Sequence, residues 1–282
     1  MAKVAIITDS TAYIPKDVVE KYQIQVIPLH LHWGEETYLD GVDIQPHEFY
    51  AKLKQSNINP TTSQPTPAAF KDVFEKLLNS DKDIINILLS SKLSGTVDSA
   101  VQAKTFFPDA PIEIIDSQST AMAMGFQVLT VARAAADGAD LAECKALAEE
   151  ALKHTGVVFA VDTLEFLHRG GRIGGGARFL GTALKMKPIL ELRDGRVESV
   201  ERVRTRKKSL DRLVELIEER TGGHTPIRLA ALNAASPDDA RWLMEQTSQR
   251  LNPTEMVFSE VSPVIGTHAG PGTVAVAYMT GM

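Results

Sequence analysis

The sequence holds one cysteine, Cys144, in 282 residues. A lone thiol excludes an intramolecular disulfide and any cysteine-built metal cluster, and it suits a reducing, cytoplasmic setting. Positive charge is not in excess either: the formal net charge is −6. Nucleic acid and anionic membranes are left without an electrostatic footprint. Long hydrophobic runs are missing. The stretch from Ala121 to Ala132 ends at Arg133, well short of the roughly 20 residues that span a bilayer. The opening "MAKVAIITDS" has a single lysine and a short apolar run before Asp9. That is too short for a secretion signal and reads as a first buried strand. No helix-turn-helix signal, internal repeat or low-complexity segment stands out.

What is present is apolar residue in quantity, 44% of the chain, ample for a large core in one or two domains. The first half alternates two patterns. Residues 3–8, 83–90 and 112–117 are near-continuous apolar runs, as buried parallel strands are. Between them lie helical stretches at 15–22, 46–54, 67–78, 96–106, 120–136 and 141–154. Thr66 caps the 67–78 helix, with Pro67 at its first position. Residues 25–33 read as extended, with Pro28 marking an edge or bulge. This rhythm predicts an α/β fold with a doubly wound, mostly parallel sheet.

The second half is an α+β pattern with a mixed sheet. Residues 156–163, 227–235, the "EMVFSEVSP" stretch and "TVAVAYM" read as strands. Residues 187–205 read as a hairpin turning at Asp194-Gly195. Helices are expected at 209–220, opened by Ser209, and at 236–251, capped by Ser236. The domains are set at 1–157 and 158–282.

Three turns are candidates for chemistry. "TDST" (8–11) and "SSKLSGT" (90–96) each follow a strand of the expected parallel sheet, where such sheets bind ligands. Ser94-Gly95-Thr96 opens a helix, whose free N–H groups favour an anion. A plain helix cap explains the same residues. "GTHAGPG" (266–272) reads as a glycine-rich loop between strands, in which His268 could meet an anion or act as acid or base. A solvated hairpin explains it as well. "NINPTTSQPTP" (57–67) reads as a turn before a capped helix, and leaves open whether Thr61, Thr62 and Ser63 hold something.

Other chemistries find less support. "RGGRIGGG" (169–176) lacks the Lys-Ser/Thr pair of a phosphate-binding loop and does not join a strand to a helix. His30 and His32 share a strand face but have no third metal ligand nearby. Ser94, His268 and Asp9 could make a hydrolase or transferase acting on a lipid-like substrate, although no GxSxG elbow is present. The arginine-rich run from Arg193 to Lys208 fits an exposed hairpin or a docking surface.

Six stretches in order, "ITDSTAYIP", "TTSQPTP", "LLSSKLSGT", "IEIIDSQSTAMAMG", "FLHRGGRIG" and "GTHAGPGTVAVAY", resemble the DegV family over nearly the whole chain. The resemblance implies a two-domain α/β fold that buries a long-chain fatty acid (C14–C18) in an interdomain tunnel. It implies no catalytic residue, metal or cofactor of its own. Its partner would be the ATP-using catalytic subunit of a bacterial fatty acid kinase, to which the carboxylate is presented for acyl phosphate formation in phospholipid metabolism. By the same resemblance Thr62, Ser94 and His268 hold the carboxylate, with Ser63 and Gly95 beside them and Thr61 uninvolved. Arg169, Arg172 and Arg202 are carried over as kinase-docking residues. The three implied ligands are neutral donors, an arrangement that would keep the carboxylate nucleophilic. The apolar faces of the 67–78 and 119–136 helices are candidate tunnel walls. Met122, Met124 and Phe126 are better explained as core.

Overall fold

A computed structural model describes residues 3–179 and 186–282. Strands β1 (Val4–Asp9) and β2 (Gln25–Ile27) flank each other in a parallel sheet. A second, three-stranded sheet is antiparallel, in the order β4 (Glu36–Leu39), β3 (His30–Trp33), β5 (Thr61–Ser63). The parallel sheet is completed by β6 (Asp83–Leu88) and β7 (Ile112–Asp116), in the order β2-β1-β6-β7. Ile7, Ile84, Ile85 and Ile87 are fully buried, because helices cover both faces and each strand needs apolar side chains on both.

Helices α1 (Lys16–Lys21) and α2 (Pro46–Gln55) lie in the first fifty-odd residues. On one face of the parallel sheet pack α3 (Pro67–Leu78) and α4 (Thr96–Lys104), with Phe70 and Phe74 set against Ile84 and Leu88. Thr66 caps α3 by accepting from Ala69 N at 3.2 Å, as its position before Pro67 predicts. On the other face pack α5 (Ala121–Ala136) and α6 (Leu141–Ala151). Met122, Met124 and Phe126 of α5 are fully buried core.

The chain from Thr155 onward builds the mixed sheet. Its order is β10-β9-β8-β13-β11-β12. The strands are β8 (Thr155–Ala160), β9 (Lys187–Arg193), β10 (Arg196–Val203), β11 (Ile227–Asn233), β12 (Glu255–Glu260) and β13 (Val274–Thr280). The β9–β10 hairpin turns at Asp194-Gly195, both with positive φ (51° and 78°). This is the primed turn that the strands' twist favours. Between β8 and β9 lies α7 (Glu165–Arg169), followed by a 3₁₀ turn at Gly174–Phe179. Helices α8 (Arg206–Thr221) and α9 (Pro237–Leu251) cover one sheet face. The last helix, α10 (Pro263–Ala269), leads into β13.

Several expectations change. Residues 25–33 do not form one extended piece. The chain breaks at Pro28, which has no N–H to give a ladder, and delivers β2 and β3 to different sheets. "NINPTTSQPTP" contains a strand, since Thr62 pairs with Leu31 and β-branched threonine suits that pairing. The "GTHAGPG" loop is largely helix. Ser262 and Pro263 open α10, and Gly266 sits inside it because a Cβ there would lie 2.5 Å from the Tyr50 hydroxyl. Helix α8 begins three residues before Ser209: Thr205 caps it, accepting from Lys208 N at 3.2 Å. Ser236 precedes α9 without a side-chain cap bond.

Candidate functional site

An apolar slot of about 900 Å³, its mouth included, lies where the C-terminal ends of the parallel strands meet the open face of the mixed sheet. Leu29 and Leu89 form one wall, and Val157, Phe159, Leu232 and Ala275 the other. Along β8 the lining residues are two apart, as one face of a strand requires. Helix α3 contributes nothing to the lining, and α5 contributes Ala121 together with the preceding Thr120. Of the two helices named as tunnel walls, α3 therefore serves the sheet core and α5 reaches the slot only at its first turn.

One part of the slot is polar, with Thr62, Ser63, Gln64, Ser94, Arg172 and His268. Thr62 stands on β5 and His268 on α10, 206 residues apart in sequence, yet Thr62 Oγ1 lies 2.8 Å from His268 Nε2. Ser63 Oγ lies 2.8 Å from His32 Nε2, whose Nδ1 reaches Thr37. Ser94 Oγ shares a 2.9 Å hydrogen bond with Thr96 Oγ1, and Gly95 is the N-cap residue of α4. The Gln64 side chain lies against Gly95. Arg172 Nε donates to Leu93 O at 3.0 Å and Nη1 to Gly170 O at 2.7 Å, turning the guanidinium inward.

His268 is pulled down to about 4, first by burial and then by the positive charge of Arg172. It is therefore neutral at pH 7. Its Nδ1 is buried without a partner and lies where a Cβ on Gly170 would sit, only 2.1 Å away. Any side chain at Gly170 would push the imidazole off Thr62. The polar end thus offers hydroxyls, a neutral imidazole and one fixed cation. A carboxylate placed there would find donors and a compensating charge, which burial demands. The trio Thr62, Ser94 and His268 is not purely neutral in its setting, because Arg172 stands among them.

A second, outer depression shares Thr62, Arg172 and His268 with the slot, and adds Asn59, Phe166 and Arg169. The same side chains thus face inward to the slot and outward to the surface. Arg169 is exposed, bonds to Asn59 and Glu165, and lies over the Phe166 ring. Arg202 is exposed as well, over the ring of Phe179. Of the three arginines expected to dock a partner, Arg172 alone is half-buried and faces the slot.

Buried groups fix α10 from below. Asp40 accepts from Ser10 Oγ at 2.7 Å and from Val264 N at 3.2 Å. Burial pushes its carboxyl up to about 6. Tyr13 OH reaches Ser262 Oγ, and Tyr50 OH donates to Val261 O. The "TDST" turn is a brace of the same kind. Asp9 accepts from Thr11 N, Thr11 Oγ1 and Leu89 N, tying the ends of β1 and β6 together. Asp9 is thus committed elsewhere, and Ser94 bonds to Thr96, so no Ser94–His268–Asp9 relay forms. Among the described residues no cluster of three or more His, Cys, Asp or Glu side chains could hold a metal ion. His30 and His32 stack at 6.3 Å between ring centroids. No described helix is long and apolar enough to cross a membrane.

Sequence reasoning missed Gln64, Tyr13, Asp40 and Gly170, and did not place Arg172 at the slot. The signal for Gly170 was a glycine in "RGGR", where a Cβ would collide with His268.

Comparison with known proteins follows the same outline. The family described as "Uncharacterised protein, DegV family" matches residues 3–281. Protein DegV of Bacillus subtilis is 37% identical over 277 residues, covering 98% of each chain. A DegV domain-containing protein of Streptomyces coelicolor is 38% identical, covering 97% of each. Among solved structures, a DegV family protein from Thermus thermophilus, described for its fatty acid binding, superposes with a TM-score of 0.93 at 34% identity over 99% of each chain. DegV of B. subtilis, described as a fatty acid binding protein, gives 0.89 at 35% identity, covering 99% of this chain and all of that one. The α/β fold, with its parallel and mixed sheets, is shared with both.

Proposed function

The chain belongs to the DegV family, and from that premise we propose that it binds a long-chain fatty acid with the tail in the slot and the carboxylate at the polar end. One observation carries this: an apolar slot converges on Thr62, Ser94, Arg172 and His268. Each methylene buried contributes about 0.8 kcal/mol. A tail of roughly fourteen methylenes would give on the order of 11 kcal/mol before ordering costs. The tail supplies affinity, and the polar end fixes direction. The solved relatives described as fatty acid binding support the ligand class.

The head group would then be presented to a separate, ATP-using kinase subunit. A carboxylate oxygen attacks the γ-phosphorus, ADP leaves, and an acyl phosphate results. Support for this step is the outer depression, which touches the same head-group residues from the surface side. Arg172 changes what those residues would do. A cation beside the carboxylate lowers its basicity, but it also offsets charge repulsion as the phosphoryl oxygens approach. Arg169 and Arg202 remain proposed contacts for the kinase, in the cytoplasm.

Native mass spectrometry of protein purified from cells tests the binding reading. A bound mass matching a C14–C18 fatty acid is the expected result. An empty protein that also takes up no added fatty acid would overturn it. Mixing loaded protein with the kinase subunit and ATP tests the second step, read as acyl phosphate trapped with hydroxylamine.

A further inference from the structure

A further cavity, of about 560 Å³ with its mouth included, adjoins the slot, and Leu192 borders both. Apart from Leu152 and Gly156 its other walls are polar, among them Ser117, Ser119, Gln127, Thr155 and Asp194. The polarity is built in: Gln127 Nε2 donates to Ser117 O and to Thr155 Oγ1, and Ser119 N donates to Ser117 Oγ.

The strand register says where this chamber lies. The head-group end sits past the C-terminus of β8, where the chain runs on to Leu167 and Arg172, and just before β13, where His268 stands. Val274 pairs with Ala160 there. In the other direction along β8 come Phe159 and Val157, both lining the slot, and then Gly156 and Thr155, both lining the chamber. Leu192 follows Glu191, which pairs with Val158. It therefore stands at the Val157 level, about 10 Å from Ala160 at the rise of a strand. Leu192 stands between apolar space and polar space.

We propose that Leu192 sets the length limit of the acyl chain, as the partition between the slot and a polar chamber that turns away a methyl terminus. This rests on the fatty-acid reading above. A hydrocarbon end entering the chamber would displace water from serine, threonine and amide groups and return no hydrogen bond. Truncating Leu192 joins the two spaces. The gain should be on the order of two to three methylenes, the size of the atoms removed. Chains ending in a hydroxyl should profit most, because the chamber can bond to them.

The test loads delipidated wild type, Leu192→Ala and Leu192→Phe with an equimolar mixture of myristic, palmitic, stearic, arachidic and ω-hydroxypalmitic acids. Bound masses are read by native mass spectrometry. Leu192→Ala should shift the distribution towards arachidic and ω-hydroxypalmitic acids, and Leu192→Phe towards myristic acid. Unmoved distributions in folded variants that still carry lipid overturn the partition and leave the fatty-acid reading intact. A wild type that takes none of the acids overturns both. Should Leu192→Ala fail to fold, an unmoved distribution in Leu192→Phe decides against the proposal.

Discussion

The body of the slot and its polar end are built by opposite means. The body draws on neighbouring strands of one sheet, in which Val157 and Phe159 line the same face and Ala275 pairs with Phe159. The polar end takes single residues from separate places: Thr62 from β5, Ser94 from the turn before α4, Arg172 after α7 and His268 from α10. A wall made of many similar contacts tolerates volume-conserving changes. A constellation of single donors loses a partner outright when one is removed.

The largest effect is expected where the body is filled instead of trimmed. Ala275, 5% exposed, faces the slot beside Phe159 and Leu232. Ala275→Trp should abolish bound lipid in the native mass spectrum, at a stability cost of about 1–3 kcal/mol from overpacking. Leu232→Met, with its volume conserved, should keep lipid. If Ala275→Trp retained full occupancy, the slot would not be where the tail lies.

His268 at the polar end and Asp40 beneath α10 are two buried groups whose titrations oppose each other. Burial holds His268 at about 4, below its usual 6.5, so the fold prefers it neutral. That stability is present above pH 6.5 and is lost as pH falls towards 4. Asp40 is raised from 3.8 to about 6, so the fold prefers it protonated. That stability is present below pH 3.8 and is lost as pH rises through 6. Each is on the order of 3 kcal/mol, and between pH 4 and 6 they largely cancel. In urea titrations of lipid-free protein, Asp40→Asn should gain stability as pH rises across this window, and His268→Gln should lose it. Parallel slopes in the two variants would refute the assignment.

Smaller still is the loss of one donor. Thr62→Val keeps the β-branched shape of the β5 edge and removes the hydroxyl bonded to His268. A hydrogen bond to a charged group contributes about 1.5–3 kcal/mol, so fatty acid should dissociate roughly ten-fold faster or more in a stopped-flow displacement assay. An unchanged rate would return the Thr61–Ser63 strand to a purely structural role.

The body and the polar end also differed in how far the sequence disclosed them. Apolar runs at 83–90 and 112–117 identify the parallel strands because burial on both faces leaves a local signature. The primed turn at Asp194-Gly195 is local in the same way. The contact between Thr62 and His268 is not, and composition reads their two segments as a turn and a loop. Only resemblance to a family joined them. Resemblance offered Arg172 only as a docking residue; its place at the slot shows once Leu93 O and Gly170 O are seen to accept from it. Asp40 was invisible for a related reason. Asp-Gly signals a turn, and nothing local says that the carboxylate points at the first turn of a helix more than two hundred residues on.

The smallest expected effect on lipid is at Arg202, and it separates holding the ligand from presenting it. Arg172 and Arg202 share a proposed history as docking residues but not a setting. Arg172 is wedged between two backbone carbonyls at the head-group end. Arg202 lies exposed over Phe179 on the outer strand of the mixed sheet, away from the slot lining. Arg202→Ala should leave fatty acid occupancy and its dissociation rate unchanged. It should weaken kinase binding several-fold, about 1 kcal/mol for an exposed charge contact, with a weaker dependence on salt than wild type shows. Arg172→Ala should do the reverse first: lipid should leave faster before any kinase is added. If both variants lost lipid equally, Arg202 would be acting on the slot through the 3₁₀ turn under its guanidinium. If neither affected kinase binding, the docking face would have to be sought around Arg169 and Asn59, at the rim of the outer depression.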